Sequence, residues 1–394
     1  MEEKQQRGKS TGIKEFETRM ENIRTGMGEN ELDLLLFYSP TRGHVRYISN
    51  YPTPFPWTHY CHMFPEVFGA TDSALVILPS KGEPTLIVTP YGPAYLLADR
   101  HSWIRDIRQA KSLAAECKEV VTKSALPHGR IGIAGEEMPQ FVYRGLVEAF
   151  PKSHFKFVSE MIERIRSVKS EAEIELVKVA SKLGDDMWKT IINTAQPGKK
   201  IYEITSGAEY TAKSQKAEKV VVYLSSGSQA TRSQEVPPSE GVIQKEDILI
   251  TEISPKFEGY FTQICRVAVF GKPSQMQKDI FNATLKAKEA AIAKAKPGVS
   301  IAEIADAART RIREAGFEKH LRSRFGHGFG LDMTEMPYEI DEHNTMLLQP
   351  GMIMTIHPAL RIRDLAGSML GDAVLITDHG AKKLNLCSDE MVQL

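Results

Sequence analysis

Apolar residues fall into two textures along this chain. Before residue 160 they come as short runs, at 34–38, 74–78, 85–89 and 130–134. Runs of this length, punctuated by turn formers such as Ser80, Gly82 and Pro84, predict buried strands. Between them, 15–27 and 140–150 repeat their apolar positions at helical spacing and predict helices. Short apolar strands alternating with helices predict a layered α/β domain over residues 1–160.

From residue 161 the pattern becomes a charged helical stretch, then a helix over 171–183. Ser170 followed by Glu173 has the form of a capping box, in which two side chains satisfy the first orphan amides of a helix. A repeat follows: residues 195–204 recur as 295–304 with six identities in ten, each copy breaking at Pro-Gly between two helical stretches. One repeat at an offset of 100 residues predicts two related halves rather than a solenoid. Strands are expected at 220–224, 247–253, 259–270, 352–357 and 373–377. The second domain is thus expected over 161–394, with pseudo-two-fold symmetry.

Charge narrows the partners. Lys plus Arg and Asp plus Glu are 50 each, so no net field recruits nucleic acid or an anionic membrane. No apolar run approaches the roughly 18 residues of a membrane span, and the charged start MEEKQQRGKSTG lacks the apolar core of a leader. Four dispersed cysteines without a C-x-x-C pair read as thiols of a reducing compartment, so a cytoplasmic protein is expected.

Four segments resemble the creatinase / aminopeptidase P / prolidase family in order and spacing. They are 164–174 (RIRSVKSEAEI), 250–266 (ITEISPKFEGYFTQICR), 325–335 (FGHGFGLDMTE) and 351–358 (GMIMTIHP). The resemblance implies an N-terminal creatinase-like α/β domain and a C-terminal pita-bread domain. It also implies a homodimer in which one subunit caps the other's pocket. Metallopeptidases of that family hold two divalent ions with Asp, Asp, His, Glu and Glu. The corresponding positions here are Glu252, Gln263, His327, His357 and Gly371, so only the histidine is unchanged. Carboxylates that bridge two cations are missing. Pro255, Gly259, Tyr260 and Thr262 instead match creatinase's own pattern, so the chain resembles creatinase and ectoine hydrolase, the members without metal.

On that resemblance the expected function is a metal-independent hydrolase, without cofactor, of a non-peptide C–N bond in a small charged metabolite. Glu252, His327, His357 and Glu335 are its expected catalytic groups. Gln263, Thr334, Glu235 and Arg46 are expected to contact substrate. So are Trp57, His59 and Tyr60 of a proline-stiffened loop at 51–64, read as a lid. Two other readings stay open. Glu252, His327 and His357 form a two-histidine, one-carboxylate set that suits a mononuclear Xaa-Pro peptidase-like hydrolase. A non-catalytic peptide-binding module is the third.

Overall fold

The computed structural model describes residues 12–39, 43–53, 73–90, 94–232, 240–321 and 324–394. The chain divides into two units, Met1–Arg166 and Ser167–Leu394.

The first unit is built on a six-stranded sheet. Its order is Asp106–Gln109, Thr85–Val88, Ala74–Pro79, Leu34–Ser39, Arg130–Ala134, His154–Phe157. Leu34–Ser39 runs antiparallel to Ala74–Pro79 and parallel to Arg130–Ala134. These inner strands are buried along nearly their whole length, which is why they read as continuous apolar runs. Both edge strands were missed in the sequence. Asp106–Gln109 and His154–Phe157 carry polar residues and are largely exposed, as suits a sheet edge that must not pair further.

The second unit is two halves of similar design. Ser170 and Glu173 form the expected capping box and open the helix Glu171–Thr194. The chain breaks at Pro197-Gly198 and re-enters a helix at Ile201–Ser214. In the other half Gln275–Lys294 and Ile301–Glu314 repeat the pair, with capping boxes from Ser274 and Ser300. The turns match bond for bond. Gly198 N donates to Ile243 O and Gly298 N to Leu348 O; Ile201 N donates to Gly241 O and Ile301 N to Met346 O. Both glycines hold positive φ, +93° and +81°, the left-handed region where a side chain would be strained.

Each helix pair covers a sheet. One has the order Val392–Gln393, Ile264–Val269, Ile248–Phe257, Lys219–Ser226. The other runs Gly326–Gly328, Ile353–Ile356, Asp372–Thr377, Gly380–Lys383. Two apolar cores result, one under each helix pair. The single strand expected at 259–270 is interrupted at Thr262 and Gln263, because Tyr260–Phe261 closes a hairpin on Ile248–Phe257 first. No helix among the described residues is long and apolar enough to cross a membrane.

Candidate active site

Strand register assembles the first part of the site. Glu252 lies opposite Tyr223 on one side and Cys265 on the other, so the three side chains share one face of the sheet. Gln263, at the strand break, donates from Nε2 to Glu252 Oε1 at 2.6 Å. The break is held from outside the row. Thr262 Oγ1 bonds Ser181 Oγ at 2.9 Å, and Phe261 N donates to Gly330 O at 2.7 Å. Gln263 is 1% exposed, and its Oε1 has no hydrogen-bond partner.

The second part comes from the other sheet. His327 sits between two glycines that permit close backbone packing. A Cβ on Gly326 would stand 2.0 Å from Thr355 O, and one on Gly328 would stand 2.5 Å from Met336 O. His357 follows the strand Ile353–Ile356, its N–H donating to Phe325 O at 2.8 Å. The two rings lie edge to face with centres 5.3 Å apart.

Both imidazoles are neutral near pH 7. Burial brings His327 down to about 4, against the opposing bond to Gly328, with the Arg324 charge adding to the fall. Burial, His327 and Arg324 together hold His357 well below the ordinary value. The His327 tautomer follows from its partner, since a carbonyl can only accept. His327 Nδ1 donates to Gly328 O at 3.0 Å, which leaves the lone pair on Nε2. His357 Nε2 is buried without a hydrogen-bond partner.

Gly371 closes the site. It exchanges two backbone bonds of 3.0 Å with Cys265. A Cβ there would lie 2.5 Å from His357 Cβ and 3.1 Å from Cys265 Sγ. Beside it Asp372, fully buried, meets Arg266 Nη2 at 2.6 Å and Lys288 Nζ at 2.5 Å. Burial alone would raise the Asp372 carboxyl; the Arg266 and Lys288 charges outweigh it and hold it well below the usual range. Arg266 also donates to Gly371 O at 2.7 Å and Cys265 O at 2.9 Å, so this charge cluster fixes the floor of the site.

The donor set does not fit two metal ions. Gln263 turns an N–H toward Glu252 where a ligand oxygen would be needed, and Gly371 has neither a carboxylate nor room for one. Among the described residues no group of three or more His, Cys, Asp and Glu side chains is placed to hold an ion. The two neutral imidazoles, one with an orphaned and buried Nε2, suit a single ion with other ligands from outside the chain.

Other expected residues are placed differently. Glu335 is buried, accepting from Asp332 N at 2.9 Å and facing Lys169 Nζ at 3.3 Å; it shapes the loop after His327. Thr334 is half-buried in the same loop. Arg46 is half-buried in the helix His44–Ser49 of the first unit. Glu235, Trp57, His59 and Tyr60 lie outside the described residues. Sequence reasoning missed Tyr223 and Arg324. Tyr223 sat inside an apolar run and gains meaning only once its register with Glu252 is known.

Comparison with known proteins places these observations. The model of the creatinase/prolidase N-terminal domain matches residues 19–168, and that of metallopeptidase family M24 matches 175–378. An Xaa-Pro dipeptidase of Pyrococcus horikoshii is 30% identical over 63% of this chain and 72% of its own. One of Pyrococcus furiosus is 31% identical over 60% and 68%. The crystal structure of the Pyrococcus horikoshii prolidase covers 95% of this chain and all of its own, with a TM-score of 0.82 and 26% identity.

These relatives overturn the expected metal-independent hydrolase of a non-peptide C–N bond, and with it the small charged metabolite as substrate and the creatinase-like subtype. The misleading pattern has a structural cause. Gly259 makes the hairpin turn at φ +96°, Tyr260 Oη donates to Glu173 Oε1 at 2.8 Å, and Thr262 anchors to Ser181. Those residues fold the hairpin and anchor it to the helix Glu171–Thr194. With a creatinase/prolidase N-terminal domain ahead of a pita-bread domain, this chain belongs to metallopeptidase family M24.

Proposed function

We propose that this protein hydrolyses short peptides of the Xaa-Pro class at a centre built for one divalent ion rather than two. The observation that carries this reading is the pair of buried, neutral imidazoles in edge-to-face contact, His327 with its Nδ1 proton held by Gly328 O and its Nε2 lone pair left over, and His357 with a buried Nε2 that has no partner. Metal-bound histidines are characteristically oriented as His327 is, by a bond from the other ring nitrogen. The names of the relatives supply the substrate class.

His327 and His357 would hold the ion, which when bound polarises the scissile carbonyl and acidifies a water. Burial does the preparatory work, because imidazoles that stay neutral need lose no proton to become ligands. Glu252 takes the proton of the attacking water on its carboxylate. Gln263 aims that carboxylate by donating to Oε1. The Arg266–Asp372–Lys288 cluster holds the strand ends on which Cys265 and Gly371 meet. The thiols of Cys117, Cys265 and Cys387 form no disulfide, which supports work in the reducing cytoplasm.

The test is hydrolysis of a panel of Xaa-Pro dipeptides by protein loaded separately with Mn, Co, Zn or Fe, with metal content measured on the same samples. Cleavage at one equivalent of ion per chain is the expected result. Two tightly held equivalents, or no cleavage with any ion, would overturn it.

A further inference from the structure

The sheet that carries Glu252 has two differently occupied faces. Val222, Leu224, Ile253 and Ile264 belong to the apolar core under the first helix pair. Tyr223 and Glu252, cross-strand partners in register, alternate with them and face the other way, into the site. Tyr223 is only half-buried. Two influences act on its phenol, burial first and then the Glu252 charge, and neither is a hydrogen bond. Both raise it above its ordinary value, so the hydroxyl keeps its proton at neutral pH. Other donors around Glu252 are committed or weak. Gln263 Nε2 donates to Glu252 Oε1 at 2.6 Å and lies 3.5 Å from Ser254 Oγ. His327 Nδ1 is held by Gly328 O, and the Cys265 thiol is fully buried. Peptide hydrolysis at one ion asks for such a donor. When water adds to the scissile carbonyl its oxygen becomes an anion, and a single ion must serve both that oxygen and the attacking water.

We propose that Tyr223 is a further catalytic residue, whose hydroxyl donates a hydrogen bond to the scissile carbonyl oxygen as that oxygen becomes an anion. The inference rests on the peptidase reading and adds a residue to it. No proton leaves the phenol: Glu252 receives the proton of the attacking water, and Tyr223 contributes only the hydrogen bond. The row divides the work by length. Tyrosine is the longer of the two partners, so its hydroxyl stands further out from the sheet than the carboxylate and meets the substrate rather than the water. A neutral donor also suits this neighbour. A cationic side chain in its place would pair with Glu252 and weaken it as a base, whereas a phenol leaves the carboxylate free to accept. Such a bond strengthens as charge develops, so it favours the transition state over the bound substrate.

Tyr223→Phe removes the hydroxyl alone, and its melting temperature verifies the fold. With Mn-loaded protein and glycyl-L-proline, kcat should fall roughly 10²–10³-fold, as for a lost oxyanion donor, while KM stays near the wild-type value. Calorimetry supplies a readout apart from turnover. The phosphinic analogue of the dipeptide carries a tetrahedral, anionic phosphorus in place of the scissile carbonyl. Its affinity should fall roughly 10-fold or more in the variant, the loss of one charge-assisted hydrogen bond. A fluorinated tyrosine placed at 223 is more acidic. It should keep the rate at neutral pH but lose it on the alkaline side earlier than the wild type, because a phenolate cannot donate; a ring with a purely structural role would leave that limb unmoved. An unchanged kcat in Tyr223→Phe overturns the proposal, as does an unchanged phosphinate affinity or an unmoved alkaline limb, and wild-type cleavage in the same assays leaves the peptidase reading standing. Wild-type protein that cleaves the dipeptide with no ion removes the peptidase reading and this proposal together.

Discussion

His327 and His357 meet edge to face at 5.3 Å although they stand on separate segments and are not cross-strand partners: the partner of His327 is Thr355. The contact depends on His357 lying two residues beyond Thr355, past the end of its strand, where the same face recurs.

Removal of one imidazole should abolish ion-linked stabilisation. A ligand present at 100 times its Kd stabilises a protein by about 2.7 kcal/mol, so added Mn or Zn should raise the melting temperature of the wild type. His357→Gln should lose that rise while its melting temperature without ion stays near the wild-type value. An undiminished rise in the variant would exclude His357 as a ligand.

Glu252→Gln preserves size and removes the proton acceptor. Turnover of an Xaa-Pro dipeptide should fall by roughly 10²–10⁴-fold, the contribution of a lost general base. Circular dichroism should show an unchanged fold. Full activity in this variant would assign the proton to another group.

Asp372→Asn leaves Arg266 and Lys288 buried against an amide. Breaking one partner of a buried ion pair costs roughly 3–5 kcal/mol, which urea unfolding would read as a lower midpoint. The pH dependence has a definite sign. The folded Asp372 carboxyl lies below the ordinary value of 3.8, so its contribution is present above that pH and is lost as the pH falls below it. Loss of that contribution at higher pH instead would contradict the assignment.

Burial pushes the Cys117 thiol up to about 12 and the Cys265 thiol well above its ordinary value. In a Cys61→Ser background, neither should react with an aromatic disulfide reagent at pH 8 until the protein unfolds, since the thiolate is the reactive form. Prompt labelling of Cys265 in the folded protein would mean that the site opens around it.

Much of this arrangement was legible in the sequence, for definite reasons. Inner strands such as Leu34–Ser39 are buried on both faces and read as apolar runs. The duplicated turns were visible because Gly198 and Gly298 both need left-handed backbone. His327, His357, Glu252 and Gln263 were found by position in motifs. Their chemistry was not, because lone pairs and orphaned oxygens depend on which atoms meet. Gln263 Oε1 became informative only when Nε2 was seen to be engaged. The creatinase-like residues misled for the converse reason: a hairpin turn and a catalytic motif can demand the same glycine and tyrosine.

The crowding at Gly371 also limits how the site could be redesigned. A Cβ there meets His357 on one side and Cys265 on the other, so a glutamate at this position requires both neighbours to give way together. Gln263 would have to change as well before a second cation had a bridging carboxylate on both sides. A two-cation centre is therefore out of reach of any single substitution here, and an attempt to build one would have to repack the floor of the site before it changed a ligand.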